Sequence, residues 1–177
     1  WTSTAARSGC DAMNRCGVDA GVGGALSLFG PDDRLMAVAD MPTTSVRVGK
    51  TQRHRINGAL LAQLLRDWEV GHAAVEAVRP RPTDTPVTAA YLVGAHDRVL
   101  GVLEALGIPY TPVESRAWRA TAGIKLGPTM VYRDRKEASR LRALQLFPLQ
   151  AAYFARKKDS DRAEAALVGW WLVQRGR

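Results

Sequence analysis

A chain of 177 residues holds one domain with a core of two or three layers and is too short for two full lobes. Lysine and arginine total 25 against 17 acids, a net charge of +8 that suits a polyanionic partner such as nucleic acid. No apolar run approaches the roughly 20 residues that cross a bilayer, so a soluble protein is expected, and Cys10 and Cys16, without a second ligand pair, indicate two free thiols rather than a disulfide framework or a zinc site.

Residues 1–12, WTSTAARSGCDA, lack hydropathy periodicity and precede Met13; they read as a flexible tail or upstream extension ahead of one domain over 13–177. They carry no apolar core of a secretory signal, while their Arg, Ser and Ala content leaves a transit-peptide reading open. From Arg15 the apolar character rises through RCGVDAGVGGALSLFG, and RLMAVADM follows a turn at GPDDR, which predicts strands at about 15–20, 24–29 and 35–41. PTTSVRVGKTQRHR, basic and containing Gly and Thr, reads as a loop feeding a helix in INGALLAQLLRDW, where apolar residues recur at helical spacing. HAAVEAV suits a buried parallel strand apart from the carboxylate of Glu76, and RPRPTDTP after it is a Pro-rich basic loop. Residues 87–106 form the longest helical pattern, closed by Gly107, with a short strand in IPYTPV beyond. In the last third, ESRAWRATAGIK, RDRKEASRLRALQLF and DRAEAALVGWWLVQ are helical by periodicity, with a loop at LGPTMVY. Two βα units after three strands, then helices, predict an α/β domain with a mixed sheet flanked by helices.

Two acids stand where apolar residues are expected. Asp19, in GVDAGVGG, ends an apolar strand just before a run of glycines, and Glu76 is flanked by apolar residues in AAVEAV. A carboxylate buried alone is costly, and a divalent cation would compensate both. The alternatives are ordinary turn chemistry for Asp19 and a solvent-facing or arginine-paired strand end for Glu76. A third acidic source is KKDSDRAEAAL, residues 157–167, which opens an apolar helix and carries Asp159, Asp161 and Glu164. Oxygen ligands from three elements, without His or Cys, suit Mg²⁺ or Mn²⁺, and a pair of such ions clamps the attacking and leaving oxygens of a phosphodiester. His54, His72 and His96 show no ligand spacing.

GVDAG at 17–21, VEAVRPRP at 75–82 and DRAEAAL at 161–167 come in the order and at the separations of the RuvC family of Holliday-junction resolvases, which the chain resembles over residues 15–175. RKEASRLRALQLFP and KKDSDRAEAAL look most like its phage-type and plant-chloroplast-type members. The resemblance implies a ribonuclease H-like fold, with a mixed five-stranded sheet flanked by helices. It implies a homodimer that resolves four-way DNA junctions by paired symmetric nicks, using two Mg²⁺ or Mn²⁺ ions per active site and no membrane. A cytoplasmic protein of bacterial or phage origin is expected, with an organellar one as the alternative. The expected catalytic and metal-binding residues are Asp19, Glu76, Asp159 and Glu164. Asp161 and Glu164 share a helix face at the spacing of a capping box, so geometry alone does not choose between the two aspartates. Asp159 matches the acid of the phage-type stretch and is preferred, provided it lies ahead of the first helical turn; Asp161 is then a capping or outer acid.

The expected nucleic-acid contacts are Arg79, Arg81, Trp118, Arg119, Lys125, Arg135 and Lys136, against the plain reading of a solvated basic face. Arg119 and Lys136 fall near positions where RuvC relatives hold active-site lysines. Trp118 suits either base stacking or core packing, and Trp170 and Trp171 read as core. GVDAGVGG also resembles the phosphate loop of actin-like sugar kinases, but those need two lobes. Another nuclease of the same fold, acting on RNA or flapped DNA, is one alternative, and a DNA-binding module without catalysis is another. The latter has no use for buried carboxylates, which repel phosphate unless a metal intervenes.

Overall fold

A central sheet of five strands takes the order β3-β2-β1-β6-β7, built from β1 (Asn14–Asp19), β2 (Ala25–Phe29), β3 (Leu35–Asp40), β6 (Val70–Glu76) and β7 (Tyr110–Val113). The structure is a computed structural model that describes residues 13–127 and 129–176. The tail expected at 1–12 therefore lies outside the described residues. β2 pairs antiparallel with β1 and β3, while β6 runs parallel to β1 and β7, so the sheet is mixed, as its chain order implies.

Helices cover both faces. α1 (Gly58–Asp67) and α2 (Pro86–Ala105) bury Leu61, Leu65, Val99 and Leu103 against Cys16, Val18, Leu26 and Val75. On the other side lie α3 (Ser115–Thr121), α4 (Tyr132–Leu146) and α5 (Ser160–Arg175), where Trp118, Ala143, Leu167 and Trp171 pack with Phe29 and Ala74. Each strand thus feeds alternate residues to opposite cores, the period-2 rule for a sheet buried on both sides. Burial pushes the thiol of Cys16 up to about 12, which keeps it neutral.

The largest departure from the sequence reading is at 42–55. Instead of a loop, Thr43–Val48 (β4) and Thr51–Ile56 (β5) pair antiparallel from Thr43↔Ile56 to Val48↔Thr51. Alternating Thr, Ser and Val favour the extended chain, and Gly49, at φ 60°, takes the first position of the two-residue turn. Basic charge, with only Val46, Val48 and Ile56 apolar over 43–56, hides this ribbon from a hydropathy pattern.

Candidate active site

Strand alternation aims the first two acids. Cys16 and Val18 face the α1/α2 core, so Gly17 and Asp19 face α5. Asp19 ends β1 and Glu76 ends β6. Because Val18 pairs with Val75 in the parallel ladder, the two carboxylates leave neighbouring strands at one edge of the sheet.

α5 brings the other acids to that edge. It crosses β1 where a Cβ on Gly17 would overlap the backbone of Gly169 and Ala165, an approach that only glycine permits. Asp161 in the first turn and Glu164 three residues later then share the face turned to Asp19. Oxygens of Asp19, Asp161 and Glu164 all lie within 4.8 Å of one another.

Side chains from the flanking helices fix these carboxylates. Trp118 Nε1 donates to Glu76 Oε1 at 3.0 Å, and the Ser115 hydroxyl donates to the same oxygen. Ser139 Oγ donates to Glu164 Oε1 at 3.1 Å. Lys136 Nζ donates to Asp161 Oδ1 at 2.6 Å and to Glu164 Oε2. The Arg119 guanidinium lies 3.7 Å from Glu164 and 4.5 Å from the centroid of the Trp118 ring, with its Nε buried and without a hydrogen-bond partner.

The charges are strongly coupled. Burial, reinforced by Glu76, Glu164 and Asp161 and opposed by Lys136, pushes the carboxyl of Asp19 up to about 8. Burial also raises Glu164, against the pull of Lys136. For Lys136 burial works against the charge, yet Glu164, Asp19 and Asp161 outweigh it and hold the ammonium above its usual range. Converging hard oxygen donors, of which Asp19 and Glu164 resist ionisation in the absence of a cation, fit a divalent ion of the Mg²⁺ or Mn²⁺ kind.

Of the four acids expected as ligands, the fold brings Asp19, Glu76 and Glu164 together and turns Asp159 elsewhere. Asp159 is 3% exposed and closes a 3₁₀ turn at Lys157–Asp159: the Arg156 backbone N–H donates to Oδ2 at 2.8 Å and its guanidinium to Oδ1 at 2.8 Å. These bonds hold its carboxyl below the usual range. Asp161 stands in its place. It caps no helix end, since its carboxylate accepts from Lys136 and the N-cap position belongs to Asp159. The spacing Asp161-x-x-Glu164 put it on the face of Glu164 but, being also that of a capping box, did not choose it over Asp159.

Among the expected DNA contacts, Trp118 is corrected: at 0% exposed it belongs to the core and has no face for a base. Arg81, Arg119, Arg135 and Lys136 line the acidic cleft, of about 230 Å³. Arg79 is exposed and paired with Glu114, and Lys125 is exposed on the loop after α3. Ser115 and Ser139, which orient the acids, carried no signal in the sequence.

No protein-family model matches the chain, and no curated protein matches it in sequence. Solved structures do. T. thermophilus RuvC in complex with Holliday junction substrate superposes with a TM-score of 0.55 at 14% identity, over 93% of this chain and 97% of that one. A second Thermus thermophilus RuvC structure gives 0.52 at 16% identity with the same coverage. The fold is that of RuvC. On this RuvC fold, a ribonuclease H-like arrangement, the acids occupy the ends of the two central parallel strands and the start of the last helix.

Proposed function

We propose that the protein is a divalent-metal-dependent endonuclease that resolves four-way DNA junctions by paired nicks, acting as a homodimer. The observation that carries this reading is the triad of Asp19, Asp161 and Glu164 with oxygens within 4.8 Å, beside Glu76, in a cleft lined by arginines on a RuvC fold. These four residues would hold the ions, two per site. When bound, such ions supply Lewis-acid activation of water and of the scissile phosphate.

The chain's own groups do the rest. Arg81 and Arg135, lining the cleft, attract and seat the phosphate backbone next to acids that would otherwise repel it. Lys136 bridges Asp161 and Glu164 and keeps their oxygens converged. Arg119, held over the Trp118 ring, places positive charge where a phosphate in the cleft gains negative charge during cleavage. Trp118 and Ser115 fix one oxygen of Glu76 and thereby its orientation. A module that only binds DNA gains nothing from this costly acidic cluster.

The test is cleavage of an end-labelled four-way junction with and without Mg²⁺, beside linear duplex, flapped DNA and an RNA–DNA hybrid. Metal-dependent nicks at symmetric positions in opposing strands of the junction are expected. Preference for the flap or the hybrid assigns a different substrate to the same site, and binding without cleavage in any metal rejects the enzyme.

A further inference from the structure

We propose that the β4–β5 ribbon is a second DNA-binding element, which grips the phosphate backbone of a junction arm beyond the acidic cleft. This rests on the junction-nuclease reading and adds to it a site outside the catalytic centre.

Ion pairing does not account for the ribbon's composition. Over residues 43–56 it carries Arg47, Lys50, Arg53 and Arg55 and no acid. None of the four has an acidic partner among the described residues, whereas Arg15, Arg156 and Arg162 in the body of the protein are ion-paired. Most of the ribbon is exposed, and Ile56 at its root is fully buried. A two-stranded ribbon without an apolar face is marginal in water by itself. Arg53 lies over the ring of Tyr91, 5.2 Å from its centroid, but cations without acidic partners on an exposed β-ribbon complement the dense phosphate charge of a duplex, and such ribbons fit its grooves.

Its root places it. β3 ends at Asp40, whose ladder partner is Ala25, itself the partner of Asp19. The ribbon therefore springs from the catalytic edge of the sheet, two strand spacings or about 10 Å from Asp19. Arg162, the residue after Asp161, clamps Asp40 with hydrogen bonds of 2.6 and 2.7 Å, which ties this root to the helix that carries the acids. Six residues per strand extend it by about 20 Å. Its tip thus reaches phosphates roughly six to nine base pairs from the cleavage point, taking about 3.4 Å per base pair along the duplex.

The experiment compares wild type with R47A/K50A/R53A on junctions with arms of about 5 and about 15 base pairs, across a salt titration. On long arms the triple variant should bind about ten-fold or more weakly at 0.1 M salt, with a salt slope smaller by two to three, while nicking a saturated junction at the wild-type rate. On short arms the two should bind alike. Equal binding to the long-armed junction overturns the proposal, as does an equal loss on both arm lengths, which would place these cations at the junction centre. A melting temperature within a few degrees of wild type shows that the fold is intact. If the wild type itself neither binds nor nicks a junction, the functional reading fails; if it does both and the variant matches it, only the ribbon proposal fails.

Discussion

Asp19 is destabilising in the metal-free protein, and that cost is measurable. Its carboxyl is pushed up to about 8 by burial and neighbouring acids, whereas in the unfolded chain it titrates near its ordinary value of about 3.9. Between about pH 4 and pH 8 the native state holds a proton that the unfolded chain has released, so this contribution falls as pH rises through the window. Metal-free D19N should therefore melt above wild type at pH 8, with the gap closing toward pH 4. Mg²⁺ should raise the melting temperature of wild type and leave D19N nearly unmoved; an equal response would remove Asp19 from the ion site. Asp159 has the opposite sign. Held low by Arg156, its stabilisation is present above about pH 4 and is lost as pH falls through its folded value. D159N should keep metal-dependent nicking and lose about 1–2 kcal/mol of stability at pH 7, as loss of a buried charged acceptor does. D161N should do the reverse, keeping stability and losing nicking. Choosing between these two aspartates was beyond the sequence because both precede Glu164 within one turn and a half. What separates them is Arg156, whose backbone and guanidinium claim Asp159, and Lys136, which arrives from α4 to claim Asp161.

At the scale of elements, the site depends on how closely α5 lies on β1. A Cβ on Gly17 meets backbone atoms of Gly169 and Ala165, which cannot swing aside as a side chain does. G17A should destabilise by about 3 kcal/mol, the upper end for overpacking. Any folded fraction should nick at least about 100-fold more slowly, because a shift of about 1 Å misplaces Asp161 and Glu164 relative to Asp19. A denaturant midpoint near that of wild type, or an undiminished rate, would show that the crossing tolerates a methyl group. The strands holding Asp19 and Glu76 were legible because a continuous apolar run broken by one acid is a strong signal in a sheet buried on both faces. The ribbon at 43–56 was not, since its strands pair with each other and bury almost nothing. Trp118 was ambiguous for a related reason: flanking arginines describe the surface of α3, while the indole lies beneath it and reaches Glu76.

For the whole molecule, the proposed dimer has a candidate seam on α2. Of the small residues there, Ala95 is taken up by the subunit's own core, but Ala90, Gly94 and Gly101 are exposed, and nothing stands within 4 Å of where a Cβ would lie on either glycine. G94L should leave the monomer's stability unchanged or slightly raised, since glycine is a poor helix residue, and should shift the mass in light scattering from dimer to monomer. A wild-type monomer, with or without junction DNA, would remove the dimer and with it paired nicking by one complex. The claim on which everything rests is that the cluster of Asp19, Asp161 and Glu164 is a metal-dependent centre for phosphodiester cleavage. It is tested most directly by the single-turnover rate of nicking of a labelled four-way junction across a Mg²⁺ titration, with wild type beside D19N at matched occupancy of DNA. Wild type should be silent in chelator and rise with Mg²⁺, while D19N binds the junction equally well and stays about 100- to 1,000-fold slower, the order expected when a major charge-stabilising group is lost. Nicking by wild type in chelator, or a D19N rate equal to that of wild type, would contradict it.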